Sequence, residues 1–430
     1  MSEIRLDGAC NTYRLEESAV NQIAEVADWY LSKLKKVRLD ALDNRERLSY
    51  LGVVSEAYPL LQNQEFFLET CQRLLTDLRS EFYKNRLRGI CLYDGLCNLA
   101  VFTEALSHAS GCYQKFCRSL LEIICGQAKL RAKMLMERHD GESFLNYDAI
   151  SGLSGVGHYL LDHAHEDMAE DALRSIAEYF VLLCRKVKKN DASVPGWFEW
   201  GLDDRAYPNG YFDFSVSHGI AGPLSVLIHL WKENRFVSGQ KEAVLEIVKE
   251  YAFICEKFQN KLWSGKVSME QYVCDAVEMP YGREGWCYGS ITVANILSEA
   301  MECVRVPYIQ TLAEKRMLEV AEMDVEALGL QMPILCHGYA GTSAVFRKMY
   351  DASGEEAYLK QAKRLRKKAI SCFSPNSDYG FPYEEEYALR GQIQKRSIDK
   401  LDFLEGSAGI LMELLAWIKP KSCFERMLLL

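Results

Sequence analysis

The chain has 430 residues, with 51 Lys and Arg against 60 Asp and Glu for a formal net charge of −9, and 49% hydrophobic against 26% charged residues. These are globular proportions, with no basic stripe to track a phosphate backbone and no apolar stretch near the ~20 residues of a membrane span, so nucleic-acid-binding and transmembrane roles are disfavoured. The 15 cysteines form no CxxC pairs and residues 1–7 lack a basic then apolar signal, which points to a reducing cytosol with most thiols in the core.

Along the chain one pattern returns six times: a polar or aromatic approach to a Gly, small residues, then an apolar helix-like run. It appears first as YDGLCNLAVF around Gly95 and next as AISGLSGVGHYL around Gly152, with Asp148 four residues before that Gly. Segment 168–188 follows with helical periodicity, and 191–216, aromatic and broken by Gly and Pro, suits strands or long loops. The third copy, SVSHGIAGPLSVL, puts His218 directly before Gly219. Residues 241–258 then place Val244, Ile247, Val248, Tyr251, Cys255 and Phe258 on one helical face. The stretch 259–285 is again irregular. The fourth copy, GWCYGSITVANIL, has Cys287 two residues before Gly289; the fifth, ILCHGYAGTSAVF, has Cys336 and His337 before Gly338; the sixth, DFLEGSAGILMEL, surrounds Gly406.

The glycines lie 49 to 70 residues apart, and Gly155, Gly222, Gly341 and Gly409 add a second Gly three residues on in four copies. Each interval has room for two helices and a loop, and only ten prolines interrupt the chain. The expected fold is all-α: each copy starts an inner helix, the intervening helix lies outside it, and six or seven pairs close into a ring with the Gly loops at one end. A closed ring makes residues 1–430 a single domain. Glycine at these turns would permit φ > 0 and close approach of neighbouring backbones. With eight His in the chain, two at the same place in a repeated loop favour function over packing. Buried helix-start cysteines and satisfied core histidines are the alternative.

The motifs SHGIAG (217–222), GWCYG (285–289), CHGYAGT (336–342) and LEGSAGI (404–410) closely resemble the lanthionine synthetase C family, the cyclases of lantibiotic biosynthesis, over about Gly95 to Ile410. The resemblance implies a double α-toroid with one Zn²⁺ held by Cys287, Cys336 and His337. It also implies catalytic roles for His218, Asp148 and Arg283. The stand-alone length, with no N-terminal dehydratase region, resembles the class I cyclases, which carry a small β-containing lobe; 191–216 and 259–285 are its candidates. The partners implied are a dehydrated precursor peptide with its leader, a dehydratase and a transporter. The implied setting is the cytoplasm, at the inner membrane face where such a complex holds the chain.

Three protein ligands with one open position is the arrangement of a catalytic zinc, and two thiolates cancel the charge of the metal, so a soft substrate thiolate suits the fourth place. The electrophile implied is dehydroalanine or dehydrobutyrine. Sulfur attack gives a thioether and an enolate, and His218 is the candidate general acid for protonation at Cα. Asp148 orients His218, accepts the thiol proton, or caps a helix from Ala149 to Leu160. Arg283 fixes Asp148, stabilises the enolate oxygen, or is a structural loop residue. Trp286 and Tyr288 suit packing or the substrate wall. Three rival functions stay open: glutathione addition to dehydrated residues, prenyltransferase-like alkyl transfer, for which no basic cluster accompanies the loops, and a peptide-binding module whose zinc is closed by Cys97.

Overall fold

The computed structural model describes residues 2–6, 12–84, 87, 89–137, 143–189, 192–200, 206–274, 282–389, 392–419 and 421–430. The helices in chain order are α1 (Glu17–Leu34), α2 (Asn44–Ala57), α3 (Gln64–Tyr83), α4 (Leu96–Ser110), α5 (Gln114–Met136) and the single turn α6 (Phe144–Tyr147). Then come α7 (Leu153–Leu161), α8 (Asp167–Leu183), α9 (Ala221–Lys232), α10 (Gln240–Lys257) and the short α11 (Met269–Val273). The chain continues with α12 (Ser290–Cys303), α13 (Pro307–Glu322), α14 (Tyr339–Ser353), α15 (Glu356–Ser371) and α16 (Ser407–Ala416).

Apolar patterning sorts these helices into two layers. Helix α4 is buried on nearly every side from Leu96 to Ser107, and α16 is buried throughout, which only an element walled in all round can tolerate. By contrast α8 buries one stripe, Ala169, Ala172, Leu173, Ile176, Ala177, Tyr179, Phe180 and Leu183, and turns acidic residues outward. Among the described residues seven helices form the inner ring, each packed on the next: α2, α4, α7, α9, α12, α14, α16 and back to α2. Outside them α5, α8, α10, α13 and α15 pack side by side, with α3 on α2 and α1 on α16. The result is a double α-toroid.

The seventh inner helix carries no Gly loop. Helix α2 is started instead by Asp43, whose side chain accepts from the Glu46 N–H at 2.9 Å while the Glu46 carboxylate takes the Asp43 N–H at 2.9 Å. Gly52 lets it sit against Phe102 and Met412, which a Cβ would strike. The axis is filled from the far end of the chain. The 3₁₀ turn Phe424–Leu428 packs on α4 and α7, with Phe424, Met427 and Leu428 fully buried, so the ring encloses a core and not a pore.

The periodic segment 241–258 forms α10, with Val244, Ile247, Val248, Tyr251 and Cys255 buried. The helix expected over 168–188 stops at Leu183. Lys186–Lys189 instead forms β1, paired antiparallel with β2 (Ala192–Pro195); its alternation of Lys and Val suits a strand, and Lys186 reaches Glu246 and Glu250 on α10. A second pair joins β3 (Tyr211–Asp213) to β4 (Lys266–Ser268), with Asp213 opposite Lys266. These strands make the small β element beside the toroid. Within the segments 191–216 and 259–285, residues 191, 201–205 and 275–281 lie outside the described residues. A third hairpin, β5 (Tyr383–Leu389) with β6 (Gln392–Ile398), falls in neither segment. The 14 described cysteines are all free, and no described helix is long and apolar enough to cross a membrane.

Candidate active site

The six Gly loops are joined in sequence around the axis by main-chain bonds. The Tyr93 N–H donates to the Ile150 carbonyl at 3.3 Å, Ala149 to Ser217 at 3.1 Å, Ser217 to Cys287 at 3.3 Å, Cys287 to Cys336 at 3.1 Å and Cys336 to Leu404 at 2.9 Å. Every acceptor in this ladder stands two residues before a loop glycine. Those residues, with Tyr93 in the same register, line one cavity of about 300 Å³. So do Asp94, His218, Tyr288, His337 and Glu405, which directly precede five of the six glycines.

The glycines themselves serve close approach alone. Gly152, Gly289 and Gly338 have φ of −95°, −75° and −129°, and none of the six loop glycines is among those with positive φ, so the expectation of left-handed backbone is corrected. A Cβ at Gly152, Gly289 or Gly338 would collide with the backbone of Asp148, Gly285 or Met332. Each loop folds back under the first turn of its own helix, and the missing side chain makes room for that turn.

Cys287, Cys336 and His337 are brought together, their ligand atoms all within 4.8 Å of one another. A tetrahedral zinc with bonds of ~2.3 Å to sulfur and ~2.1 Å to nitrogen separates its ligand atoms by about 3.5–3.8 Å, so a two-sulfur, one-nitrogen set gathered within 4.8 Å suits the ion. The hydrogen bond from the Cys336 thiol holds the Cys287 thiol below its ordinary range against the effect of burial, with His337 and Arg283 assisting. The Cys336 thiol, half-buried and donating that bond, is correspondingly raised. One of the two sulfurs therefore gives up its proton readily, which prepares the pair for a cation. Cys97 lies apart: it is buried inside α4 beside Cys91 and Glu104, and among the described residues the ligand group has three members.

Across the same cavity His218 Nδ1 lies 2.7 Å from Asp148 Oδ2. Asp148 is fully buried, and its Oδ1 accepts from the Ser151 N–H at 2.7 Å and the Gly152 N–H at 2.6 Å. Helix α7 begins only at Leu153, four residues later than the cap reading placed it. Asp148 therefore closes the loop ahead of the helix with one oxygen and holds the imidazole with the other. Burial pulls the His218 imidazole down, but the bond and charge of Asp148, with the charges of Asp213 and Cys287, outweigh it and leave the group above its ordinary 6.5. Arg283 is exposed and lines the cavity beside Cys287 and Tyr288; the bonds to Asp148 come from His218, Ser151 and Gly152, not from Arg283.

Trp286 is fully buried and donates its indole N–H to the Leu428 carbonyl at 2.7 Å, pinning the residue before Cys287 to the plug in the axis. The Tyr288 hydroxyl donates to Asp213 at 2.8 Å. The sequence reading missed Glu284, whose carboxylate accepts from Ser290 Oγ at 2.8 Å, the Ile291 N–H at 3.0 Å and Arg316 Nη2 at 2.7 Å, bracing the Cys287 loop against the start of α12. No motif marks it. It also missed Asp94, paired with Arg45 at 2.7 Å, and Glu405, paired with Lys400 at 3.0 Å. Both occupy the repeat position of His218 and His337, so aligning the copies would have found them.

The lanthionine synthetase C-like protein family matches residues 51–429. The nisin biosynthesis protein NisC of Lactococcus lactis subsp. lactis is 25% identical over 252 residues, which are 55% of this chain and 57% of that protein. That match spans little more than half of the relative's length. A solved structure of a nisin cyclase superposes with a TM-score of 0.72 at 17% identity, covering 96% of this chain and 98% of the other, and its likeness is one of fold. With the six-loop site and a family match over most of its length, the chain belongs to the lanthionine synthetase C-like family.

Proposed function

We propose that this chain is a zinc-dependent cyclase that closes lanthionine and methyllanthionine thioether rings in a dehydrated precursor peptide. The observation that carries the reading is one cavity holding both a Cys287–Cys336–His337 ligand group and, facing it, an imidazole backed by a buried carboxylate. Those three side chains would hold a zinc ion, and the chemistry it would supply is a soft Lewis acid that favours the thiolate form of a peptide cysteine. The family membership and the names of the relatives, one assigned to nisin biosynthesis and one a cyclase, favour this substrate class.

The residues of the chain divide the remaining work. A peptide thiolate adds to the β-carbon of a dehydroalanine or dehydrobutyrine, the C–S bond forms as the C=C π bond breaks, and an enolate results. His218, with Nδ1 engaged by Asp148, has Nε2 for delivering a proton to Cα. Its raised affinity for protons supplies the acid form near neutral pH. Both Asp148 oxygens are already engaged, and this favours orientation of His218 over acceptance of the thiol proton. Arg283, exposed on the cavity wall, offers positive charge to the enolate oxygen. The toroid, the full 1–430 span, acts as one catalytic domain in the cytoplasm, with a dehydratase supplying the substrate and a transporter removing the product at the inner membrane face.

Zinc-loaded protein incubated with a dehydrated peptide bearing free cysteines tests the reading. Thiols accessible to an alkylating reagent should fall with no change in peptide mass, because intramolecular addition is an isomerisation. Excess glutathione separates the rival activity, which would add glutathione mass and leave the peptide cysteines alkylatable. Thiols unchanged across a panel of such peptides would overturn the cyclase.

A further inference from the structure

Helix α5 belongs to the outer ring and none of its side chains lines the cavity of the Gly loops. One of them nevertheless reaches the loop that carries Asp148. Arg131 Nη2 donates to the Leu145 carbonyl at 2.7 Å and Nη1 to the Ser151 carbonyl at 3.0 Å, with Asn146 Oδ1 at 3.5 Å from Nη2. Leu145 and Ser151 bracket Asp148 three residues to either side. We infer that Arg131 is a positioning residue: its guanidinium spans the loop and holds the carboxylate of Asp148 where it meets His218.

The backbone shows why such a clamp is needed. Around its two anchor points the chain makes the single turn α6, extends at Asp148 with φ −65° and ψ 174°, and just past Ser151 enters α7 through Gly152. Little regular structure holds those residues. The two adjacent loops contribute one main-chain bond each, from Ala149 to Ser217 at 3.1 Å and from Tyr93 to Ile150 at 3.3 Å, and Asp148 contributes its own contacts to Ser151 and Gly152. Those last bonds keep the carboxylate fixed relative to Ser151, so whatever moves Ser151 moves Asp148. The Ser151 carbonyl is one of the two groups that Arg131 holds. The fork geometry matters because two carbonyls six residues apart are met by two nitrogens of one planar group, whereas an ammonium is a single point.

The inference rests on the proposed pairing of Asp148 with His218 as the proton-transfer unit, and its test has an arm that needs no activity. Arg131→Ala and Arg131→Lys are compared with wild type, alone and combined with Asp148→Asn. In zinc-loaded protein Arg131→Ala should lower single-turnover ring closure about tenfold or more, with peptide KM and zinc content unchanged, and Arg131→Lys should recover part of the loss. In the Asp148→Asn background the same Arg131→Ala change should cost much less, since the group it positions is gone. A loss of equal size in both backgrounds would overturn the positioning role, as would Arg131→Lys behaving like Ala. Independently, the Nδ1 proton of His218, assigned by its disappearance in His218→Asn, should be visible by NMR in wild type as a slowly exchanging resonance and broaden in Arg131→Ala. A resonance unchanged in Arg131→Ala sinks the inference even if the chain proves to cyclise nothing. A peptide panel that stays uncyclised by wild type, with the resonance lost in Arg131→Ala, sinks the cyclase and leaves the clamp standing.

Discussion

The backbone N–H of Cys287 donates to the carbonyl oxygen of Cys336 at 3.1 Å, so the two sulfur-bearing loops are fastened by main chain as well as by the bond between their thiols. Removing a ligand should therefore empty the metal site while leaving the fold. Elemental analysis of the purified protein is expected to find about one zinc per chain, and Cys287→Ala, Cys336→Ala and His337→Ala to lose it, because two remaining ligands compete poorly with water and chelators. Full zinc in any of these variants removes that residue from the site.

His218→Ala and Asp148→Asn should behave differently. Neither residue belongs to the ligand group, so zinc content is expected to be retained while ring closure falls by ~10²–10⁴, the range for loss of a positioned proton-transfer group. Loss of zinc together with turnover would show that the division between ligands and proton-transfer groups is drawn in the wrong place.

The raised affinity of His218 for protons sets a pH dependence. In the folded protein the imidazole titrates above 6.5, held there by Asp148 against burial. The stabilisation from that pair is fully present below 6.5 and is lost as pH rises through the folded value. Thermal unfolding of wild type and Asp148→Asn should then differ most near pH 5–6 and less near pH 9, as the imidazolium is needed for the charge pairing. A difference that grows toward alkaline pH would reverse the assignment.

A methyl group tests the close approach of the loops. A Cβ on Gly341 would overlap the Leu335 carbonyl oxygen, a backbone atom that cannot swing away, and the position is buried at the start of α14. Gly341→Ala is expected to destabilise by about 1–3 kcal/mol or more in chemical denaturation. Gly354→Ala, where φ is +71° and a Cβ meets open space, should cost only the backbone strain, roughly 1 kcal/mol. Equal effects would mean that loop packing contributes nothing at Gly341.

Much of the arrangement is written locally. The spacing of six Gly motifs, the apolar stripe of α10 and the adjacency of Cys336 and His337 depend on residues near one another in the chain, so the all-α ring and the Cys and His side chains that its loops carry could be read from the sequence. The position two residues before each glycine was equally legible: it holds Tyr93, Ile150, Ser217, Cys287, Cys336 and Leu404, and all six line the cavity.

Other features exist only once the ring closes. Helix α2 has no loop motif, and its place between α4 and α16 follows from the closure of the toroid. Glu284 braces the Cys287 loop through Arg316, 32 residues away on α13, and Arg131 holds the Asp148 loop from the outer layer. The sequence by itself determined which side chains each loop carries, because periodicity and turn chemistry act over a few residues. The tertiary structure alone decided that the Asp148 carboxylate meets His218, not Arg283, and that Cys97 stays in the core. Contacts between loops about 70 residues apart depend on how neighbouring helices pack, and no local propensity encodes that.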